Sequence, residues 1–146
     1  MKLAAGTPRR CCVKLVVDAN VLFAATLKRS ATARLLLHQE VSAYSPRYIV
    51  EEFARKKKEL ESKYEGTPEE LSLVFATIVR HVNIVPDQTL EPYLPAAKAI
   101  TADSKDWLYA AAALSIEADI WSNDRGFKNQ QRIRVWTTSE LIRRLQ

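Results

Sequence analysis

K-L-V-V-D-A-N, residues Lys14 to Asn20, is a short apolar run that ends on an acid. Leu15, Val16 and Val17 suit a strand buried on both faces, and Asp18 stands where that run stops. Parallel sheets bind their ligands in the crevice beyond the carboxyl ends of the strands, which makes Asp18 a candidate site residue. Taken alone, it reads equally well as a turn or cap aspartate.

Working outward, Val21–Leu27 and Ala31–Leu37, the second opened by Ser30, read as two helices or one broken helix. Val41–Tyr44 is a strand, after which Ser45-Pro46 supplies the N-cap and first-turn proline of a helix. On a wheel of ~100° per residue, Ile49, Val50, Phe53 and Leu60 share one stripe. Glu52 falls at the margin of that stripe and Glu51 nearly opposite. Thr67-Pro68-Glu69-Glu70 is a capping box that opens a helix through Leu71, Val74, Phe75 and Ile78 to His81. Val82–Val85 is a strand closed by Pro86, and Pro92 and Pro95 delay any helix before Ile100. Asp106 opens the helical run W-L-Y-A-A-A-A-L, whose small residues permit close packing on a sheet. Asp119–Ser122 is a strand, Asn123–Gly126 a turn and Ile133–Trp136 a last strand, with Thr137 and Glu140 capping the terminal helix. Strands alternate with helices and no hairpin signal joins two strands. The pattern predicts an α/β protein, a three-layer α/β/α domain with a central parallel sheet.

At 146 residues and 16.6 kDa the chain fits one domain. Residues 1–13, with Pro8, Arg9 and Arg10, read as a basic disordered N-terminal extension, and the domain as 14–146. Cys11 and Cys12 are adjacent, which makes neither a disulfide framework nor a useful zinc spacing, and favours a reducing compartment. Nothing resembles a signal peptide or a membrane span, so a soluble, cytoplasmic protein is expected. A net charge of +5, from 22 Lys and Arg against 17 Asp and Glu, favours a polyanionic partner.

Asp18 and Asp124 both follow strands, so both project from the same edge of a parallel sheet. Glu52 lies in the first turns of a helix that leaves that edge; Asp106, at the start of a returning helix, is the acid that geometry places least firmly. Each has a bland reading as cap, turn or surface charge. Gathered in one crevice, four carboxylates would repel one another, and a hard divalent cation relieves that repulsion. All-oxygen ligation points to Mg²⁺ or Mn²⁺, whereas His38 and His81 lack the paired spacing of a zinc site. Three glycines and no Walker loop disfavour a nucleotide cradle. An acid-lined metal site on a basic domain suggests phosphodiester hydrolysis, with Arg55, Lys56, Lys57 and Lys58 as either a solvated face or phosphate contacts.

In order and spacing, V-V-D-A-N-V-L at Val16–Leu22, P-R-Y-I-V-E-E-F at Pro46–Phe53, D-S-K-D-W-L-Y-A-A-A-A at Asp103–Ala113 and I-W-S-N-D-R-G-F at Ile120–Phe127 resemble the PIN-domain family, which includes the VapC toxins. The resemblance implies a PIN fold, a Mg²⁺ or Mn²⁺ site and endonucleolytic cleavage of RNA. It also implies a homodimer and, for a toxin, an antitoxin partner. Its catalytic and metal-binding acids fall on Asp18, Glu52, Asp106 and Asp124. Asn20, Asp103, Ser122 and Asn123 fall behind them as supporting residues, and Arg55, Lys56, Lys57, Lys105, Arg125 and Lys128 are the cations available to a nucleic acid. Gly126 stands where many members carry another acid, and Lys105 intrudes among the acids of the third block. Two other readings stand beside a toxin nuclease: a PIN-like module that binds RNA or protein without cutting, and a housekeeping RNA-processing nuclease.

Overall fold

The computed structural model describes residues 12–145. Most of the extension expected over 1–13, and Cys11 with it, lies outside the described residues. Five strands form one sheet in the order β3-β2-β1-β4-β5, and every pairing is parallel. They are β1 (Val13–Val17), β2 (Val41–Pro46), β3 (Val82–Val85), β4 (Asp119–Trp121) and β5 (Val135–Trp136). β1 is central, and its Leu15, Val16 and Val17 are wholly buried, as an apolar run covered on both faces requires.

The helices sort into two layers. On one face α1 (Ala19–Leu27) packs against α2 (Ala31–Leu36), α3 (Tyr48–Lys63) and α4 (Pro68–Val79), and α2 meets the terminal α8 (Thr138–Leu145). On the other lie α5 (Asp87–Leu90), α6 (Leu94–Ile100) and α7 (Trp107–Ile116), with α7 resting on β1, β2 and β4. Ala110 to Ala113 of α7 are buried, so a helix with four consecutive methyl side chains presses directly on the sheet. Phe23, Phe53 and Phe75 tie α1, α3 and α4 together, the last two stacked with ring centroids 3.8 Å apart. This is the expected three-layer α/β/α arrangement.

Several local expectations are corrected. Ser45 and Pro46 end β2 instead of capping a helix, because the buried Ser45 hydroxyl donates across the sheet to the Val17 carbonyl at 3.1 Å. The helix that follows starts at Tyr48 with no side-chain cap. Val50 is exposed, whereas Ile49, Phe53 and Leu60 are buried, so the apolar stripe of α3 is narrower than the wheel suggests. β5 is shorter than expected because Gln130 captures both the N–H and the carbonyl of Ile133, at 2.8 and 2.6 Å, and folds that segment into a loop. The short α5 was not anticipated. Both capping boxes are as read: Thr67 with Glu70, and Thr137 with Glu140, exchange reciprocal bonds. Among the described residues, no helix is long and apolar enough to cross a membrane.

Candidate active site

Asp18 is the hinge between β1 and α1. Its backbone N–H continues the sheet ladder to the Trp121 carbonyl at 3.1 Å, and its side chain caps α1 by accepting from the Val21 N–H at 2.9 Å. The cap reading and the site reading are therefore compatible: one oxygen serves the helix. The other accepts a hydrogen bond from the Ser122 hydroxyl, one residue past β4. That same hydroxyl accepts from the Asp124 N–H at 3.0 Å, so Ser122, itself wholly buried, bridges the first and fourth acids. Asp124 is exposed and turns its side chain to the Gly126 N–H at 3.0 Å, closing the turn after β4.

Glu52 and Asp106 arrive from opposite layers. Glu52 faces inward from α3, and Asp106 sits in the single 3₁₀ turn that leads into α7. Both are buried, unlike the exposed Glu51. Asp106, which geometry alone left insecure, lines the same cleft as Asp18, Glu52 and Asp124. Tyr109, three residues along α7, donates its hydroxyl to one Glu52 oxygen; the other oxygen lies 3.9 Å from the Arg55 guanidinium. Sequence reasoning missed Tyr109, although its spacing from Asp106 puts both on one helix face.

Burial and crowding dominate the electrostatics. Desolvation pushes the Asp18 carboxyl up to about 6, against the pull of the Ser122 and Val21 hydrogen bonds and with added repulsion from Asp124 and Glu52. Asp106 is also pushed up to about 6, first by desolvation and then by Asp103, Asp124 and Asp18, with Lys105 opposing. The Tyr109 phenol is driven upward by burial and by its bond to Glu52, so it stays a proton donor.

The supporting residues divide. Asn20, Asp103, Lys56 and Lys105 line the cleft, and Asp103 also accepts from the Lys105 N–H at 3.0 Å. Lys56 and Lys105 set positive charge at the rim of a negative site. Arg55 is held over the Tyr48 ring and bonded to its hydroxyl at 2.9 Å. Asn123 serves α8 instead, exchanging bonds with Thr138 at 2.9 and 3.1 Å. Lys128 is paired with Glu140 at 2.9 Å, and neither it, Arg125 nor Lys57 lines the cleft. Gly126 needs no glycine conformation: a Cβ there would meet Asp124 at ordinary contact distances, 3.4 Å and beyond.

The sequence matches the PIN domain family model over residues 16–146. This chain belongs to the PIN-domain family. PIN domains are generally nucleases. The fold is similar to VapBC2 from Rickettsia felis, determined bound to a DNA fragment from their promoter, with a TM-score of 0.68, 13% identity, and coverage of 86% of this chain and 98% of that one. It is also similar to PAE2754 from Pyrobaculum aerophilum, with a TM-score of 0.69, 17% identity, and coverage of 94% and 93%. No curated protein matches it in sequence.

PIN domains typically use divalent ions. As the side chains stand, no group of three His, Cys, Asp or Glu among the described residues is disposed to hold a metal. The donor chemistry nevertheless fits Mg²⁺ or Mn²⁺: the cleft offers oxygen donors, chiefly carboxylates, with no His or Cys, and two of those acids are pushed up to about 6 by burial and then by the charge of neighbouring acids, which a cation would offset. Mg²⁺ keeps several of its waters and takes one or two carboxylates directly, so three converging ligands are not required.

Proposed function

We propose that this PIN domain is a Mg²⁺- or Mn²⁺-dependent endoribonuclease, the toxin half of a toxin-antitoxin pair acting in the cytoplasm as a homodimer. One observation carries the reading: Asp18, Glu52, Asp106 and Asp124, from four separate segments, line one cleft at the carboxyl edge of the sheet. A divalent ion held by Asp18, Asp106 and their neighbours would supply countercharge to a scissile phosphate and a more acidic water. The chain's own residues do the rest. Ser122 holds Asp18 and the Asp124 backbone in register, and Tyr109 holds Glu52 turned into the cleft. Lys56 and Lys105 attract the phosphates on either side of the acids.

Incubating single-stranded RNA with wild type and Asp18→Asn, with Mn²⁺ or with chelator, tests the chemistry. Metal-dependent cutting by wild type alone is the expected result. A specific observation favours a second reading, a PIN module that binds without cutting: among the described residues no three acids are poised as ligands, and Gly126 stands where many members of the family carry another acid. That reading gains if both proteins bind RNA equally and neither cuts. The likeness to VapBC2 supports the antitoxin part of the proposal. Growth arrest on expression, relieved by the product of a small adjacent reading frame, separates a toxin from a housekeeping nuclease.

A further inference from the structure

The acids occupy the carboxyl edge of the sheet, and a second charged surface lies at the amino edge. Arg132 and Arg134 lead into β5 there, and α8, which leaves the far end of that strand, runs back to bring Arg143 and Arg144 alongside. All four arginines are exposed. None has an ion pair among the described residues. Three depressions of about 350, 380 and 510 Å³ share Arg134, and one of them also takes in Lys14. The nearby acids are outnumbered. Glu140 is paired with Lys128 and held by its cap, which leaves two acids on this surface against the four arginines: Asp119, which accepts from the Trp136 indole at 2.9 Å, and Glu117.

Arg134 gives this face a shape as well as a charge. Its guanidinium lies 4.0 Å from the centroid of the Trp136 ring, which it covers, so one side of the guanidinium is occupied by indole. Arg134 is itself exposed. A planar cation with one side backed by an aromatic ring and the other in solvent is a platform for an unpaired base. Duplex bases are already stacked and cannot use it, and the carboxylates of an acidic peptide pair with the N–H edge of a guanidinium, not with its open face.

We propose that this arginine face is a second binding surface for single-stranded RNA, gripping phosphates through Arg132, Arg143 and Arg144 and stacking one base on Arg134. It rests on the reading of RNA as substrate. The consequence is length dependence: RNA long enough to reach from the cleft to the amino edge binds more tightly than RNA that fills the cleft alone.

The test uses labelled oligo-uridine of about 20 nucleotides and of about 5 nucleotides, with the full chain. The triple variant Arg132→Ala/Arg143→Ala/Arg144→Ala removes three exposed cations without touching Trp136. It should weaken binding of the longer RNA at least tenfold at low salt and flatten the log-log salt dependence by about 2. Cleavage of the shorter RNA should be unchanged. Arg134→Lys keeps the charge and loses the plane, so affinity for the longer RNA should fall roughly tenfold with the salt slope intact. Equal affinity and slope in wild type and the triple variant would overturn the proposal, and so would tighter binding of duplex DNA than of single-stranded RNA at this face. If wild type cuts no RNA yet the triple variant loses RNA binding, the nuclease reading fails and this surface stands.

Discussion

Asp18→Asn should make the metal-free protein more stable at neutral pH while abolishing cutting. The buried carboxyl is held at about 6 in the fold against 3.8 for the free side chain, chiefly by desolvation. The folded state therefore binds the Asp18 proton more tightly than the unfolded state does, and wild type loses stability as pH rises from about 4 to about 6. Above that window the charged form costs the fold about 3 kcal/mol, the free-energy equivalent of the displacement. Asparagine is nearly isosteric and its oxygen still accepts from the Val21 N–H, but its amide can only donate to the Ser122 oxygen, so the buried Ser122 hydroxyl loses its acceptor and the net gain falls short of that ceiling. A gain of about half that ceiling raises the melting temperature by roughly 3 to 6 °C. Thermal unfolding followed by circular dichroism in chelator, for both proteins between about pH 4 and 8, reads the difference. The gap should be near zero at the acid end, open through the window and level off above it. An Asp18→Asn protein less stable than wild type at neutral pH, or a gap that ignores pH, would refute the claim that folding strains this carboxylate.

Four further outcomes are expected. Mn²⁺ at a hundred times its dissociation constant should stabilise wild type by about 2.7 kcal/mol, seen as a rise in melting temperature, and should leave Asp18→Asn/Asp106→Asn unmoved. Tyr109→Phe removes only the hydroxyl that holds Glu52; a bond to a charged group is worth about 1.5–3 kcal/mol, so cleavage should slow one to two decades while the melting curve keeps its shape. Phe53→Ala breaks the stack with Phe75 and empties a buried site, at a cost of about 3–5 kcal/mol by urea titration. Glu117 holds a left-handed conformation with φ of 55° at the end of α7, so Glu117→Gly should stabilise by about 1 kcal/mol in the same titration.

The sequence by itself determined the layer order and the placement of Asp18 and Asp124 just beyond the ends of strands. An apolar run closed by Asp18, helices interposed between the first four strands, and two capping boxes admit little besides a parallel α/β sheet, because local pattern and chain direction are properties of neighbouring residues. Only the tertiary structure decided which residues share a surface. It carried the start of α7 back to the carboxyl edge and so brought Asp106 beside Asp18, joined Tyr109 to Glu52 across 57 positions of chain, and turned Asn123 and Lys128 away to serve α8. It also gathered Arg132, Arg134, Arg143 and Arg144 on one face, where the sequence shows only scattered basic residues. The physical reason is that periodicity reports which face of an element is apolar, whereas the meeting of side chains from distant elements depends on how the layers pack.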